Sequence, residues 1–202
     1  MNKRTFSSMI AGALCALLAL PAFAALQPGA HAPEFTTEAS LAGKDFTFSL
    51  KHALQKGPVV VYFFPSAFTQ GCDIEAHTFA VNKAKFEAAG ATIIGVSADS
   101  IKRINAFSSD PSYCAGKFPV ASDPSGNIAA EYGLTMAPEV KGAKDVRGVA
   151  INHGFFPRTT FVLDRQGKIV ATLSSMADHL TPAEHVTRSL AIVERMRTAK
   201  AP

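Results

Sequence analysis

Cysteine is scarce in this chain: three residues in 202, Cys15, Cys72 and Cys114, with no Cys-x-x-Cys pair among them. That lack argues against a dithiol-exchange loop, because Asp73, Ile74 and Glu75 follow Cys72 where a partner thiol would stand. It argues equally against a metal-delivery loop, which would want two cysteines and a nearby histidine; only His77 is close. None of the six histidines has metal-ligand spacing, and His31, His52, His153, His179 and His185 read as surface residues. No basic run is interleaved with aromatics, and a formal charge of +4 is too mild to imply nucleic acid. No long apolar run occurs beyond residue 24, so the remainder is expected to be soluble, with no membrane in its mature form. Repeats, low-complexity blocks and linkers are also missing. What is left fits one domain large enough for a sizeable core.

The first residues have the make-up of an export leader. Lys3 and Arg4 form a basic start, Met9 to Leu20 an apolar run too short to span a bilayer comfortably, and Pro21 breaks it. Ala22-Phe23-Ala24 has the small-x-small form of a cleavage site, so residues 1–24 are expected to be a signal peptide and 25–202 the mature domain. Cys15 lies inside the run, and Gly12-Ala13-Leu14 before it is no lipoprotein signal; a retained anchor is the other reading. Cleavage takes the formal charge from +4 to +2 and leaves Cys72 and Cys114 in a periplasmic or secreted setting, where disulfides persist.

The richest stretch is Val59 to Cys72. A buried apolar strand, Val59 to Phe64, runs into Pro65; Thr69 follows, and Cys72 stands three residues further on. Asp73 to Phe86 reads as a helix with Ala76, Phe79 and Phe86 on one face. Cys72 therefore falls in or near a first helical turn, where free N–H groups and the helix dipole favour an anion. A thiolate there is expected to have a lowered pKa and to be nucleophilic; the alternative is an inert buried cysteine.

Around this stretch the chain alternates. Leu26 to Phe35 is an extended lead-in and Phe46 to Leu50 a short strand. Thr92 to Ser97 is a second buried strand, and Asp99 or Ser100 caps a helix with Ile101, Ile104 and Phe107 inward, interrupted at Asp110-Pro111. Pro119 to Ser122 reads as a strand and Asn127 to Tyr132 as a short helix, while Thr135 to Pro157 has no clear period. Thr159 to Asp164 and Lys168 to Thr172 flank Arg165-Gln166-Gly167 as a hairpin. Thr181-Pro182-Ala183-Glu184 is a capping box opening a last helix with Val186, Leu190 and Val193 at helical spacing. Parallel crossovers followed by a hairpin and a terminal helix predict an α/β, thioredoxin-like fold: a central mixed sheet flanked by helices.

Pro65-x-x-x-Thr69-x-x-Cys72 resembles the active-site motif of the peroxiredoxin family. Ala32-Pro33-Glu34-Phe35, Gly95-Val96-Ser97-Ala98-Asp99, Phe118-Pro119-Val120-Ala121-Ser122-Asp123 and Arg158-Thr159-Thr160-Phe161-Val162-Leu163-Asp164 resemble further family elements, in the family's order. The later ones look most like the Q-type, or bacterioferritin-comigratory, branch; Ala67-Phe68-Thr69 echoes another. The resemblance implies a thiol-dependent peroxidase reducing hydrogen peroxide and organic hydroperoxides, with neither cofactor nor metal. Cys72 would be the attacking cysteine, Thr69 would hydrogen-bond the peroxide, Pro65 would shield the thiolate and Arg158 would polarise the site. Thr69 as a plain helix cap and Arg158 as a surface charge stand beside those roles, and Glu75 reads as a first-turn charge complementing the dipole.

His77 stands where the Q-type branch often carries its resolving cysteine. The only other mature cysteine, Cys114, is then either the resolver or an unreactive loop residue. The implied partners are the peroxide and a thioredoxin-like reductant, with glutaredoxin or glutathione as other donors and a monomer or homodimer as the assembly. A thiol–disulfide oxidoreductase or a metal chaperone on the same fold remains the alternative function.

Overall fold

A computed structural model describes residues 25–199; the expected leader, with Cys15, lies outside the described residues. In chain order the elements are β1 (Thr36–Leu41), β2 (Lys44–Ser49), α1 (Leu50–Lys56), β3 (Val59–Phe63), α2 (Gln70–Ala88), β4 (Thr92–Ser97), α3 (Ile101–Ser109), β5 (Val120–Ser122), α4 (Asn127–Glu131), β6 (Thr159–Leu163), β7 (Ile169–Ser174) and α5 (Pro182–Thr198). The strands form one mixed sheet in the order β2-β1-β5-β4-β3-β6-β7. β3 pairs in parallel with β4 and antiparallel with β6, so it lies inside the sheet with both edges bonded.

All five residues of β3 are buried, as its unbroken apolar run requires of a strand covered on both faces. Val60 and Tyr62 point into one core, with Phe79 and Phe86 of α2, Phe107 of α3 and Val186 and Val193 of α5. Val59, Val61 and Phe63 point into the other, with Leu50 and Leu54 of α1, Ala129 of α4, and Tyr132 and Phe161. Gly95 sits opposite Tyr62 in the β3–β4 register, and a Cβ there would come within 2.7 Å of the Tyr62 hydroxyl. The glycine makes room for the tyrosine ring beneath α2.

The hairpin and the last helix form as expected. Asp164 Oδ1 accepts from the Gln166 and Lys168 N–H groups and closes the turn between β6 and β7. At α5, Thr181 Oγ1 accepts from Glu184 N–H while Glu184 Oε2 accepts from Thr181 N–H, the reciprocal capping box. Three local expectations need correction. The strand placed at Phe46 to Leu50 is β2, Lys44–Ser49, and Leu50 instead opens α1, capped by Ser49. β1 and α1 were not expected: four of the six residues of β1 are polar, and seven residues of α1 are too few to show a period. α2 begins at Gln70, earlier than Asp73, which puts Cys72 firmly in its first turn.

Candidate active site

The loop from Phe64 to Thr69 carries the site, and it is held by an acid. Asp99, just beyond β4, is fully buried, and its carboxylate accepts from Ala67 N–H at 2.7 Å, Ser66 Oγ at 3.0 Å and Ser97 Oγ at 2.5 Å. His153 Nε2 lies 2.8 Å from the same carboxylate, and Arg103 Nε 2.7 Å. Burial would raise Asp99, but the hydrogen bonds from His153, Ser97 and Ala67 outweigh it and hold the carboxyl below its usual value. Ser100, not Asp99, caps α3. Arg103 continues the clamp by donating to the Ala67 carbonyl and to Asp145, which also holds Arg147.

Phe68 adopts φ +60, a conformation that non-glycine residues rarely hold. Its neighbours fix it there: Val146 N–H donates to its carbonyl at 2.9 Å and the Arg147 guanidinium lies over its ring. The following residue, Thr69, occupies the cap position of α2 but makes no side-chain cap; its hydroxyl donates to the Ser66 carbonyl at 2.8 Å. Pro65 is half-buried at the head of the loop.

Cys72 is 2 % exposed, and Arg158 Nη2 reaches to 3.3 Å from its sulfur. Gly71 allows that approach, since a Cβ there would lie 3.1 Å from the same guanidinium nitrogen. Arg158 is in turn paired through Nη1 with Glu75 Oε2, a carboxylate with no exposed surface. Glu75 is therefore not simply a first-turn charge complementing the dipole, since it is buried and paired, and Arg158 is not a surface charge. Burial pushes the Glu75 carboxyl up to about 7, with Arg158 pulling it back. For Arg158, burial works against the charge, but Glu75 and Cys72 more than offset it.

The Cys72 thiol itself departs from expectation. Burial pushes it above its ordinary value; Arg158 opposes this most, followed by Thr69 and the Ser66 backbone, while Glu75 adds to the rise. The helix terminus alone does not produce a low pKa in a pocket this dry, because desolvation penalises the anion more. What opposes that penalty is the set of groups aimed at the sulfur, Arg158 first.

Cys114 lies on the same side of the sheet as Cys72, fully buried within the same apolar cluster, and both thiols are free. A turn carries it, with Ala115 N–H donating to the Asp110 carbonyl and Gly116 N–H to that of Ser108. Burial, then Asp110 and Asp73, push its thiol well above the ordinary value. The structure thus brings Thr69 and Arg158 to Cys72, with Pro65 at the head of the same loop and Cys114 in the same apolar cluster. Sequence reasoning missed Glu75 as the partner of Arg158, although Cys72, Glu75, Ala76 and Phe79 stand at helical spacing on one buried face. It also missed the Asp99 clamp, whose hydrogen bonds to the loop span 32 or more residues.

Two histidines read as surface residues are structural. His153 joins the clamp. His185 of α5 is fully buried, its Nδ1 2.9 Å from Thr160 Oγ1 and its Nε2 3.0 Å from Ser175 Oγ. Burial, then Arg158, lower its pKa to about 4, so it is neutral near pH 7. The unfolded chain takes up a proton at this histidine near pH 6.5, while the folded chain does so only near pH 4. Stability from this group is therefore complete above pH 6.5 and is lost as the pH falls to 4, by about 3 kcal/mol. Urea unfolding at pH 7 and pH 4 should show that much more acid loss in the wild type than in His185→Gln; equal losses would remove His185 from the account.

Residues 28–172 match the AhpC/TSA family. The chain is 30% identical over 174 residues to a chloroplastic peroxiredoxin Q of Populus jackii, covering 86% of this chain and 71% of that one. Among solved structures it is similar to the bacterioferritin comigratory protein of Xanthomonas campestris, described for its alkyl peroxide reduction activity. That match has a TM-score of 0.60 and 26% identity, over 79% of this chain and 91% of the other. A peroxidoxin of Mycobacterium tuberculosis shares the fold with a TM-score of 0.68, at 24% identity over 85% of this chain and 98% of its own.

Proposed function

The chain belongs to the AhpC/TSA family and is a thiol-dependent peroxidase of peroxiredoxin type, and from that premise we propose that Cys72 is its attacking thiol and Cys114 its resolving one. One observation carries the first assignment: Arg158 Nη2 stands 3.3 Å from Cys72 Sγ in a pocket that Glu75 helps to charge. The Cys72 thiolate attacks one peroxide oxygen in line, the O–O bond breaks, and the departing oxygen leaves as water or an alcohol after taking a proton. Negative charge grows on that oxygen, where Arg158, and the Thr69 hydroxyl once it turns from the Ser66 carbonyl, would stabilise it more than the ground state. Pro65 roofs the thiolate. Cys72 is left as a sulfenic acid.

In the second step the Cys114 sulfur displaces hydroxide from the Cys72 sulfur, giving a disulfide and water. A thioredoxin-like dithiol returns two electrons and two protons to restore both thiols; glutaredoxin or glutathione are the other donors of suitable chemistry. Hydrogen peroxide and organic hydroperoxides are the substrates, the mature chain is taken to start at Ala25 after export to the periplasm or beyond, and it works as a monomer or homodimer. The shared apolar cluster supports Cys114, although closing the bond requires the two Cα atoms to come within about 4.4–6.8 Å.

The test is to mix reduced protein with substoichiometric hydrogen peroxide in a stopped-flow instrument and map the product by mass spectrometry. Two thiols should disappear within seconds into a Cys72–Cys114 disulfide peptide. Cys114→Ser should keep the first oxidation, accumulate sulfenic acid and over-oxidise more readily. Unaltered thioredoxin-driven turnover in that variant, with no disulfide in the wild type, would point to a one-cysteine cycle.

A further inference from the structure

Resolution by Cys114 meets the same burial as the first step, but with no cation beside the sulfur to oppose it as Arg158 does at Cys72. The thiol is fully buried and must lose its proton to become a nucleophile, yet burial and two nearby carboxylates favour the protonated form. The hydroxyl displaced from Cys72 must also acquire a proton to leave as water. A group able to take the first proton and supply the second would have to lie beside both sulfurs.

Asp73 is so placed. It follows Cys72 in the first turn of α2, keeps only 8 % of its surface exposed, and its Oδ1 has no hydrogen-bond partner among the described residues. His77, one helical turn on and therefore on the same face, meets the Ser112 carbonyl at 3.1 Å through Nδ1. That contact sets the Asp73–His77 face of α2 against the turn holding Ser112, Tyr113 and Cys114. An unpaired buried carboxylate costs stability that an asparagine or alanine would not incur to the same degree, so its presence calls for a use.

Taking Cys114 as the resolver, we propose that Asp73 relays the proton of the resolving step, accepting it from the Cys114 thiol and delivering it to the hydroxyl leaving Cys72. The S–H bond of Cys114 and the S–O bond of Cys72 break, the S–S bond and one O–H bond of water form, and Asp73 ends as it began. No outside reactant is required. Burial first, then Asp110 and Asp145, raise the carboxyl to about 6 against the pull of Arg147 and Arg103. Those four charges, with Tyr113, Cys114 and His77, are the titratable groups that face it. Such a value leaves the carboxylate ionised at neutral pH and a stronger base than an ordinary aspartate, suited to both halves of the relay.

Asp73→Asn keeps the shape and removes the basicity. In single-turnover experiments followed by quenched mass spectrometry, the loss should fall on the disulfide-forming phase, slowed roughly a hundredfold, rather than on the peroxide phase. The wild-type resolving rate should drop as the pH falls through about 6, the variant should lack that inflection, and Asp73→Glu should recover part of the rate. A Cys72–Cys114 disulfide formed at the wild-type rate in Asp73→Asn would overturn the relay and leave Cys114 as resolver. No such disulfide in the wild type would overturn both.

Discussion

Replacing Cys72 by serine is expected to abolish thiol-dependent peroxide consumption, lowering the rate by at least about a thousandfold, with the fold intact. The sulfur is irreplaceable for two reasons. A serine hydroxyl does not ionise in the range where a thiol does, and an alkoxide in this dry pocket would meet an even larger desolvation penalty than the one that already raises Cys72. The fold tolerates the exchange because serine has nearly the same shape and its oxygen inherits the donor at Arg158, so no buried polar atom is stranded. Peroxide loss measured with a thioredoxin-type reductant, alongside circular dichroism, decides the matter. Turnover near the wild-type rate would move the attacking role to Cys114 and undo the reading of the pocket.

How much of this was legible in the sequence depended on distance along the chain. The strand, proline, threonine, cysteine and helix of residues 59–86 are one continuous stretch, and their local signals agree; the structure keeps them, with the strand ending at Phe63 and the helix running from Gln70 to Ala88. The hairpin at Asp164–Lys168 and the capping box at Thr181–Glu184 are likewise contained within a few residues. The charge network was not legible. Arg158 meets Glu75 across 83 residues and Ala67 meets Asp99 across 32, and no local pattern announces such partners. His185 looked like a surface histidine because its two partners, Thr160 of β6 and Ser175 in the turn after β7, lie outside α5. The direction of the Cys72 shift failed for a related reason: the helix terminus is local and visible, while the burial that outweighs it comes from the whole fold.

Arg158→Met is the second large effect expected, and it separates two jobs that one side chain performs. At the sulfur, the guanidinium is the strongest opponent of burial, so its removal should raise the Cys72 thiol further and thin the thiolate population at neutral pH. At the departing oxygen, it removes a charged donor of a kind worth about a hundred- to a thousandfold in rate. The peroxide step should slow by at least that range, and raising the pH should recover only the part owed to thiolate. The same substitution leaves Glu75 buried beside no cation, a change worth about 3–5 kcal/mol when the orphaned charge persists. Glu75 already sits at about 7 and would rise further, so it would take a proton at neutral pH and the cost would shrink. The double variant Glu75→Gln, Arg158→Met should therefore regain stability in urea unfolding without regaining rate. Stopped-flow oxidation at a series of pH values reads the first effect and the unfolding curves read the second. Wild-type oxidation kinetics in Arg158→Met would show that the guanidinium beside Cys72 serves the fold and Glu75 alone.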